Sequence, residues 1–164
     1  MKRLILFVSL VLSSVCSFSQ DIPFSHLQNL RTRPLDKVEE YFNKKEWSLG
    51  YSSKATSKGM GMITWKNRDE NSTEVILYTS NYPEYNRISM VTYKKSTYLD
   101  IMELLPSLGY VLNSSTVIEH GMEKVYKDIS TTCILRVKKY TDEIYWIILF
   151  NNVDYEEYRK RTVE

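Results

Sequence analysis

Apolar residues in the first half of the chain follow a helix pattern and then four strand patterns. Leu35, Val38, Tyr41 and Phe42 recur at the spacing of one helix face, so a helix is predicted just after Pro34. Pro34 suits the first turn of a helix, where its missing N–H costs nothing. Short apolar runs separated by turn residues then predict strands at about 47–54, 60–67, 73–80 and 86–94.

The same order of patterns follows a second time. A helix is predicted from Ser96, its expected N-cap. Four more strands are predicted at about 110–118, 122–128, 132–140 and 143–150, and then a short polar helix at about 154–161. The two halves also share residues in the same order, such as Trp65-Lys66 with Tyr126-Lys127 and Val75-Ile76-Leu77 with Cys133-Ile134-Leu135.

These patterns predict an α+β fold made of two tandem repeats, each a helix plus a four-stranded antiparallel sheet, with the helices packed on one sheet face. The predicted segments are a leader at 1–19, an N-terminal arm at 20–33, repeats at 34–95 and 96–152, and a C-terminal polar helix or tail at 153–164. Two packed repeats extend one sheet and cover one of its edges.

Two runs in the second half predict which residues are buried. The run 144–150 does not alternate with polar residues, so it is expected to be buried on both faces, as a central strand or the seam between halves. Cys133, Leu135 and Val137 alternate with neighbours in the preceding strand and are predicted to face inward. An inward cysteine has a raised thiol pKa, so Cys133 is predicted to be inert.

The first residues have the order of a secretory signal peptide. Lys2 and Arg3 precede an apolar run at 4–12, which is too short to span a membrane. Small residues follow, and cleavage is predicted between Ser19 and Gln20. The alternative is lipidation at Cys16, which would anchor a lipoprotein to a membrane. We therefore predict a periplasmic or secreted protein, with a bacterial host favoured.

Cleavage changes the charge balance. The chain has 22 Lys and Arg residues against 20 Asp and Glu residues, and losing Lys2 and Arg3 leaves 20 of each sign. A net charge near zero argues against nucleic acid as a partner. No second apolar stretch reaches spanning length, so no integral membrane span is predicted. Cys133 remains as a single cysteine, which excludes an internal disulfide framework.

Motifs for catalysis and for cofactor binding are missing from the sequence. It has no His-Glu-x-x-His, Cys-x-x-Cys, Gly-x-Ser-x-Gly or phosphate-binding glycine loop. A metal site would need His26 and His120 to converge with a carboxylate. We therefore predict no catalytic residues, no metal and no cofactor.

Tyrosine is the compositional excess, with 13 residues in the chain. Tyr82 and Tyr85 flank Pro83-Glu84 in a predicted turn, and Arg87 stands at the start of the next strand. Rigid aromatic rings beside an arginine match the residue types of interface hot spots. Tyr82, Tyr85 and Arg87 are therefore the predicted binding residues, with a protein, or alternatively a glycan, as the partner. The alternative is that both rings cover the sheet edge.

The order of elements across 34–150 resembles the β-lactamase-inhibitor proteins and, more distantly, the small α+β subunit of the outer-membrane assembly machine. The resemblance rests on element order and not on a shared motif, so it carries over no functional residue. It implies an architecture suited to non-catalytic protein binding. We therefore predict an exported binding module, for example an inhibitor of a partner protein. The alternatives are a small secreted hydrolase that uses carboxylates and an envelope assembly or structural subunit.

Overall fold

The computed structural model describes residues 22–57, 59–67 and 73–162. They form an α+β fold with four α-helices and eight strands. The helices are α1 (Phe24–Thr32), α2 (Leu35–Lys44), α3 (Lys95–Ser107) and α4 (Asn152–Thr162). The strands are β1 (Ser48–Ser53), β2 (Gly61–Lys66), β3 (Glu74–Thr79), β4 (Arg87–Thr92), β5 (Val111–Ile118), β6 (Gly121–Lys127), β7 (Thr131–Lys139) and β8 (Glu143–Asn151).

All eight strands belong to one antiparallel sheet in the order β1-β2-β3-β4-β8-β7-β6-β5. The first four strands and the last four are therefore each consecutive, and the two groups meet where β4 pairs with β8. We call this junction the seam. The apolar run at 144–150 lies in β8, which has a neighbour on each side, so its predicted place at the centre of the sheet is confirmed.

The larger hydrophobic cluster contains residues of three helices and of the six inner strands, from β2 to β4 and from β6 to β8. Phe42 of α2 stacks on Trp65 of β2 with ring centroids 4.5 Å apart. Cys133 and Leu135 are buried in this cluster and Val137 packs against it, so the predicted inward face of β7 is confirmed.

A smaller cluster lies on the other side of the sheet and contains the C-terminal helix. Phe150 and Ile134 belong to it, and they alternate along their strands with residues of the larger cluster. Tyr155 and Tyr158 of α4 pack there, each with its ring near that of Phe150. The prediction that helices pack on one sheet face therefore does not extend to α4.

Two predictions about the helices are wrong. The segment predicted as an N-terminal arm contains α1, because Phe24, Leu27 and Leu30 recur every three residues and are buried in the larger cluster. Ser96 is not the N-cap of α3, since Lys94 occupies that position and the helix begins at Lys95 without a side-chain cap.

Some of the predictions concern residues outside the described part of the chain. The leader at 1–19, the cleavage site between Ser19 and Gln20 and the lipidation site at Cys16 all lie there. In the part that is described, no helix has the length and apolar character needed to cross a membrane.

Candidate binding site

The sheet face opposite the larger cluster carries polar and aromatic side chains at the seam. Ile88 and Met90 of β4 point into the larger cluster, so Arg87 and Ser89 lie on the opposite face by the alternation of strand side chains. In β8 the same rule places Trp146 and Ile148 on that face. Ser89 and Ile148 are direct cross-strand partners.

A pocket of about 250 Å³ opens on this face, and we call it the seam pocket. Its walls come from four neighbouring strands and from α4. The lining residues are Ile76, Tyr78, Arg87, Ser89, Arg136, Trp146, Ile148, Phe150 and Tyr158.

Arg87 is held in place by an ion pair and by two aromatic rings. Its Nε and Nη2 groups donate to the two carboxylate oxygens of Asp154 at 2.5 and 2.7 Å. The guanidinium carbon lies 5.3 Å from the ring centroid of Phe150 and 5.4 Å from that of Tyr158. Both distances are within the range of cation–π attraction. The side chain is therefore fixed in direction before any ligand arrives.

Arg136 has a similar arrangement on the other side of the seam. Its Nε donates to Glu123 at 2.7 Å, and its Nη2 lies 2.5 Å from the same carboxylate and 3.5 Å from the Tyr158 hydroxyl. Burial alone would lower the pKa of Arg136, but the hydrogen bonds with Tyr158 and Glu123 outweigh it and raise that pKa. Arg136 is therefore charged near neutral pH, as arginine is in proteins generally.

Two further polar groups of the pocket have no hydrogen-bond partner among the residues that the structure describes. Ser89 is 3% exposed, and its hydroxyl makes no hydrogen bond with any residue that the structure describes. The same holds for the indole N–H of Trp146, which is half-buried in the pocket wall. Both groups can therefore donate a hydrogen bond to a ligand or to water in the pocket.

The structure separates the three predicted binding residues. Tyr82 is 64% exposed, whereas Tyr85 is half-buried, and their rings meet edge to face with centroids 6.3 Å apart. Among the described residues, the cation–π partners of Arg87 are Phe150 and Tyr158 and not these two tyrosines, and Arg87 lines the seam pocket. The sequence left two alternatives, in which both rings are exposed for binding or both cover the sheet edge. Neither alternative describes both tyrosines.

We call the turn that carries Tyr82 and Tyr85 the tyrosine turn. Hydrogen bonds that the sequence did not indicate hold it in place. Residues Pro83–Tyr85 form one turn of 3-10 helix. The buried guanidinium of Arg31 on α1 donates to the backbone carbonyls of Glu84 and Asn86 at 3.1 and 3.2 Å. The Asn86 side chain in turn accepts a hydrogen bond from the Ser80 backbone at 2.8 Å.

The groups with potential reactivity lie apart from the seam pocket. Cys133 is fully buried, and burial raises its thiol pKa, so the prediction of an inward, inert cysteine agrees with its position. His26 contacts Tyr41, whereas His120 contacts Glu119 and Tyr140. Within the described ranges, no three His, Cys, Asp or Glu side chains gather closely enough to hold a metal ion.

A larger groove of about 420 Å³ lies on the helical side. It runs between the start of α1 and one face of α3, and its lining is mostly apolar apart from Thr97 and Asp100. Among the described residues, this groove is lined by one aromatic ring, that of Phe24, and by no arginine, whereas the seam pocket has four rings and two arginines. The seam pocket is therefore the stronger candidate for specific recognition.

Comparisons with known proteins found no relative for the chain. No protein-family model matches its sequence, no curated protein matches it, and no solved structure matches its fold.

Proposed function

We propose that the chain is an exported, non-catalytic binding module that recognises its partner through the seam pocket. One observation carries the proposal: two pre-oriented arginines and four aromatic rings converge on one pocket, which Ser89 also lines. Arginine, tryptophan and tyrosine are the residues that dominate binding hot spots. The signal-peptide pattern of the first residues supports export.

We also propose that the two halves of the sheet arose by duplication, as the sequence correspondences predict. Two rows of cross-strand partners support this, because they hold residues matched from the sequence: Leu49, Trp65 and Val75 in the first half, and Leu112, Tyr126 and Cys133 in the second. The register of each edge strand also shifts directly after the leucine of its row.

Under this proposal the seam pocket lies on the pseudo-two-fold axis that relates the halves. Val75 and Cys133 are equivalent, and their neighbours Met90 and Leu149 are then equivalent too. The seam pairs Met90 with Ile147 and Ile88 with Leu149, so the axis passes between these two pairs, at Ser89 and Ile148.

Each half then contributes to the pocket one arginine and the aromatic residue that is its cross-strand partner. The arginine of one half occupies the position that is equivalent to the aromatic residue of the other half. In the first half Tyr78 is the cross-strand partner of Arg87, and in the second Arg136 is the partner of Trp146. The equivalent positions are Tyr78 with Arg136 and Arg87 with Trp146. A symmetric scaffold therefore carries an asymmetric set of side chains, which suits a ligand that binds in one orientation.

The turn with Tyr82 and Tyr85 is proposed as a second contact for the partner. It leads directly into Arg87 of the pocket, and Tyr82 presents most of its ring to solvent. Because Arg31 holds the turn in one shape, little conformational entropy is lost when a partner binds it.

Site-specific photo-crosslinking in the organism that makes the chain tests the proposal. A benzophenone amino acid is placed at Tyr78 in the pocket, at Tyr82 in the turn, or at the remote and exposed Val117 of β5. We expect one discrete protein adduct from positions 78 and 82 and none from 117.

The positions that give adducts show which of the two surfaces, the pocket or the turn, binds the partner. Adducts from 82 alone would assign binding to the turn and remove the pocket from the proposal. Adducts from 117 alone, or none from any position, would contradict the proposed binding mode. Intact mass of the wild-type chain should show cleavage before Gln20.

A further inference from the structure

All six polar groups that line the seam pocket can donate a hydrogen bond, and three of them can only donate. Two guanidinium groups, one indole N–H and three hydroxyls face it, and none of its described lining residues carries a carboxylate or an amide. Two guanidinium groups in one pocket match an anionic group that only accepts hydrogen bonds, such as a carboxylate.

Both arginines have an N–H group that their ion pairs do not use and that can bind such a group. The ion pairs with Asp154 and Glu123 use Nε and Nη2, so Nη1 of each guanidinium stays outside its pair. Carboxylates behind an arginine orient it in the way that outer-shell partners orient metal ligands. Arg–carboxylate contacts are also among the strongest hydrogen bonds in proteins.

The rest of the lining is apolar and flat. Trp146, Phe150 and Tyr158 present rings, and Ile76 and Ile148 fill the floor between strands. Trp146 and Ile148 are half-buried, although they lie in the central strand. Stacking of a ligand ring on an aromatic side chain adds to the gain from burial.

The size of the pocket favours a small ligand group. Its volume of about 250 Å³ is below the about 300–1,000 Å³ typical of sites for drug-sized ligands. A single aromatic ring system bearing one carboxylate fits this space, whereas a nucleotide or an oligosaccharide is larger.

We propose that the seam pocket binds a carboxylate carried on an aromatic body, with Arg87 and Arg136 contacting the carboxylate and Trp146 stacking on the ring. The inference rests on the proposed binding function and names the chemistry that the pocket selects. Two sources share this chemistry: a free aryl carboxylic acid, and the terminal carboxylate of a polypeptide that ends in phenylalanine.

Titration of the folded protein with matched ligands tests the inference. The free acid is represented by 2-naphthoate and its neutral control by 2-naphthamide. The polypeptide end is represented by acetyl-Ala-Ala-Phe with a free carboxylate and by the same peptide as an amide. Binding is followed by calorimetry and by the indole N–H signals in ¹H–¹⁵N spectra, with the Trp146 signal assigned from Trp146→Phe.

We expect at least one carboxylate ligand to bind about tenfold more tightly than its neutral control, since hydrogen bonds to a charged group contribute that much. The indole signal of Trp146 should shift on binding. The signals of Trp47 and Trp65 should not, because both side chains are buried in the larger cluster. The tighter of the two carboxylates identifies the source.

Two variants separate ligand contact from a structural role of the ion pair. Arg136→Gln should lower carboxylate affinity by about tenfold. Glu123→Gln removes the same ion pair but keeps the arginine, so its affinity should equal or exceed that of the wild type. Equal losses in both variants would show that the pair only supports the fold and would overturn the inference.

Other outcomes are also decisive. Equal binding of carboxylate and neutral ligand would overturn the charge selection, and binding of neither pair would overturn the inference as a whole. If photo-crosslinks from Tyr78 persist in either case, the proposed binding function stands and only the ligand chemistry is wrong.

Discussion

Arg87 and Asp154 lie 67 residues apart in the chain and form a two-point ion pair that links β4 to the first turn of α4. The carboxylate serves two purposes. It neutralises an arginine that is mostly buried, and it places negative charge at the amino end of a helix, where the macrodipole favours it. The contact therefore connects the stability of the C-terminal helix to the shape of the seam pocket.

Asp154→Asn should lower the free energy of unfolding by about 1.5–3 kcal/mol, because a mostly buried guanidinium loses its charged acceptor. The measurement is urea unfolding followed by circular dichroism. The matched control is Glu157→Gln on the same helix, whose ion pair with Lys160 is exposed. That control should change stability by less than about 0.5 kcal/mol. Equal effects would show that the Arg87 pair contributes no more than a surface contact.

Neighbouring residues of β8 should differ in their contribution to stability. Ile147 is buried in the larger cluster, whereas Ile148 lies half-buried in the seam pocket. Ile147→Ala should cost about 2–5 kcal/mol, as expected for a truncated core residue. Ile148→Ala should cost less than half as much, because its site is already open to solvent. Equal costs in chemical denaturation would mean that the pocket is closed in solution.

Alkaline pH should destabilise the protein through Tyr110. Burial, together with the nearby charge of Asp128, raises the pKa of Tyr110 to about 12, although a hydrogen bond from Gln28 lowers it slightly. An unfolded tyrosine releases its proton near pH 10. The stabilisation is therefore complete below about pH 10 and is lost as the pH rises toward 12.

Unfolding free energies measured between about pH 9 and about pH 11 check this effect. They should fall over this range in the wild type and fall less steeply in Tyr110→Phe, which has no phenol to titrate. An identical slope in the two proteins would assign the loss to other tyrosines.

The thiol of Cys133 should react slowly in the native protein and fast after denaturation. It is fully buried, and burial raises its pKa, so few thiolates form near neutral pH. A chromogenic disulfide reagent measures the rate on the chain that begins at Gln20. Ile129→Cys provides the exposed control, because Ile129 lies fully open on a turn. Native labelling of Cys133 at the rate of that control would reopen its role as a nucleophile.

Export should yield a chain that begins at Gln20. Intact-mass measurement of the periplasmic or secreted protein checks this, and cyclisation of the amino-terminal glutamine would leave the cleavage site unchanged. A mass that includes acyl chains on Cys16 would replace cleavage with lipid anchoring.

Much of the sheet could be predicted from period-two patterns and turn residues. The strand boundaries follow the runs between Gly, Asn and Pro, and the inward face of β7 follows from the alternation of Cys133, Leu135 and Val137. The N-terminal helix could not be predicted in this way. Only three of its apolar residues are buried on a short helix, and its Arg31 turns inward to bind backbone carbonyls from the tyrosine turn.

The sequence predicted the central strand of the seam but not the pocket that lies on it. The run at 144–150 predicted burial on both faces, but Trp146 and Ile148 are half-buried because they line a pocket. Arg136 resembled an ordinary solvent-facing residue of an alternating strand. Its role depends on Glu123 across the sheet and on Tyr158 from the C-terminal helix, and neither contact follows from a local pattern.

The central position of β8 has a consequence for the order of events during synthesis. The ribosome synthesises β8 after the seven other described strands, yet β8 lies in the middle of the sheet, between β4 and β7. Until it emerges, β4 and β7 each have an unsatisfied hydrogen-bonding edge, and neither half can bury the apolar side chains that meet at the seam. The two groups of strands can therefore join into one sheet only after β8 has been synthesised, so the packing of each half against the other depends on this one strand.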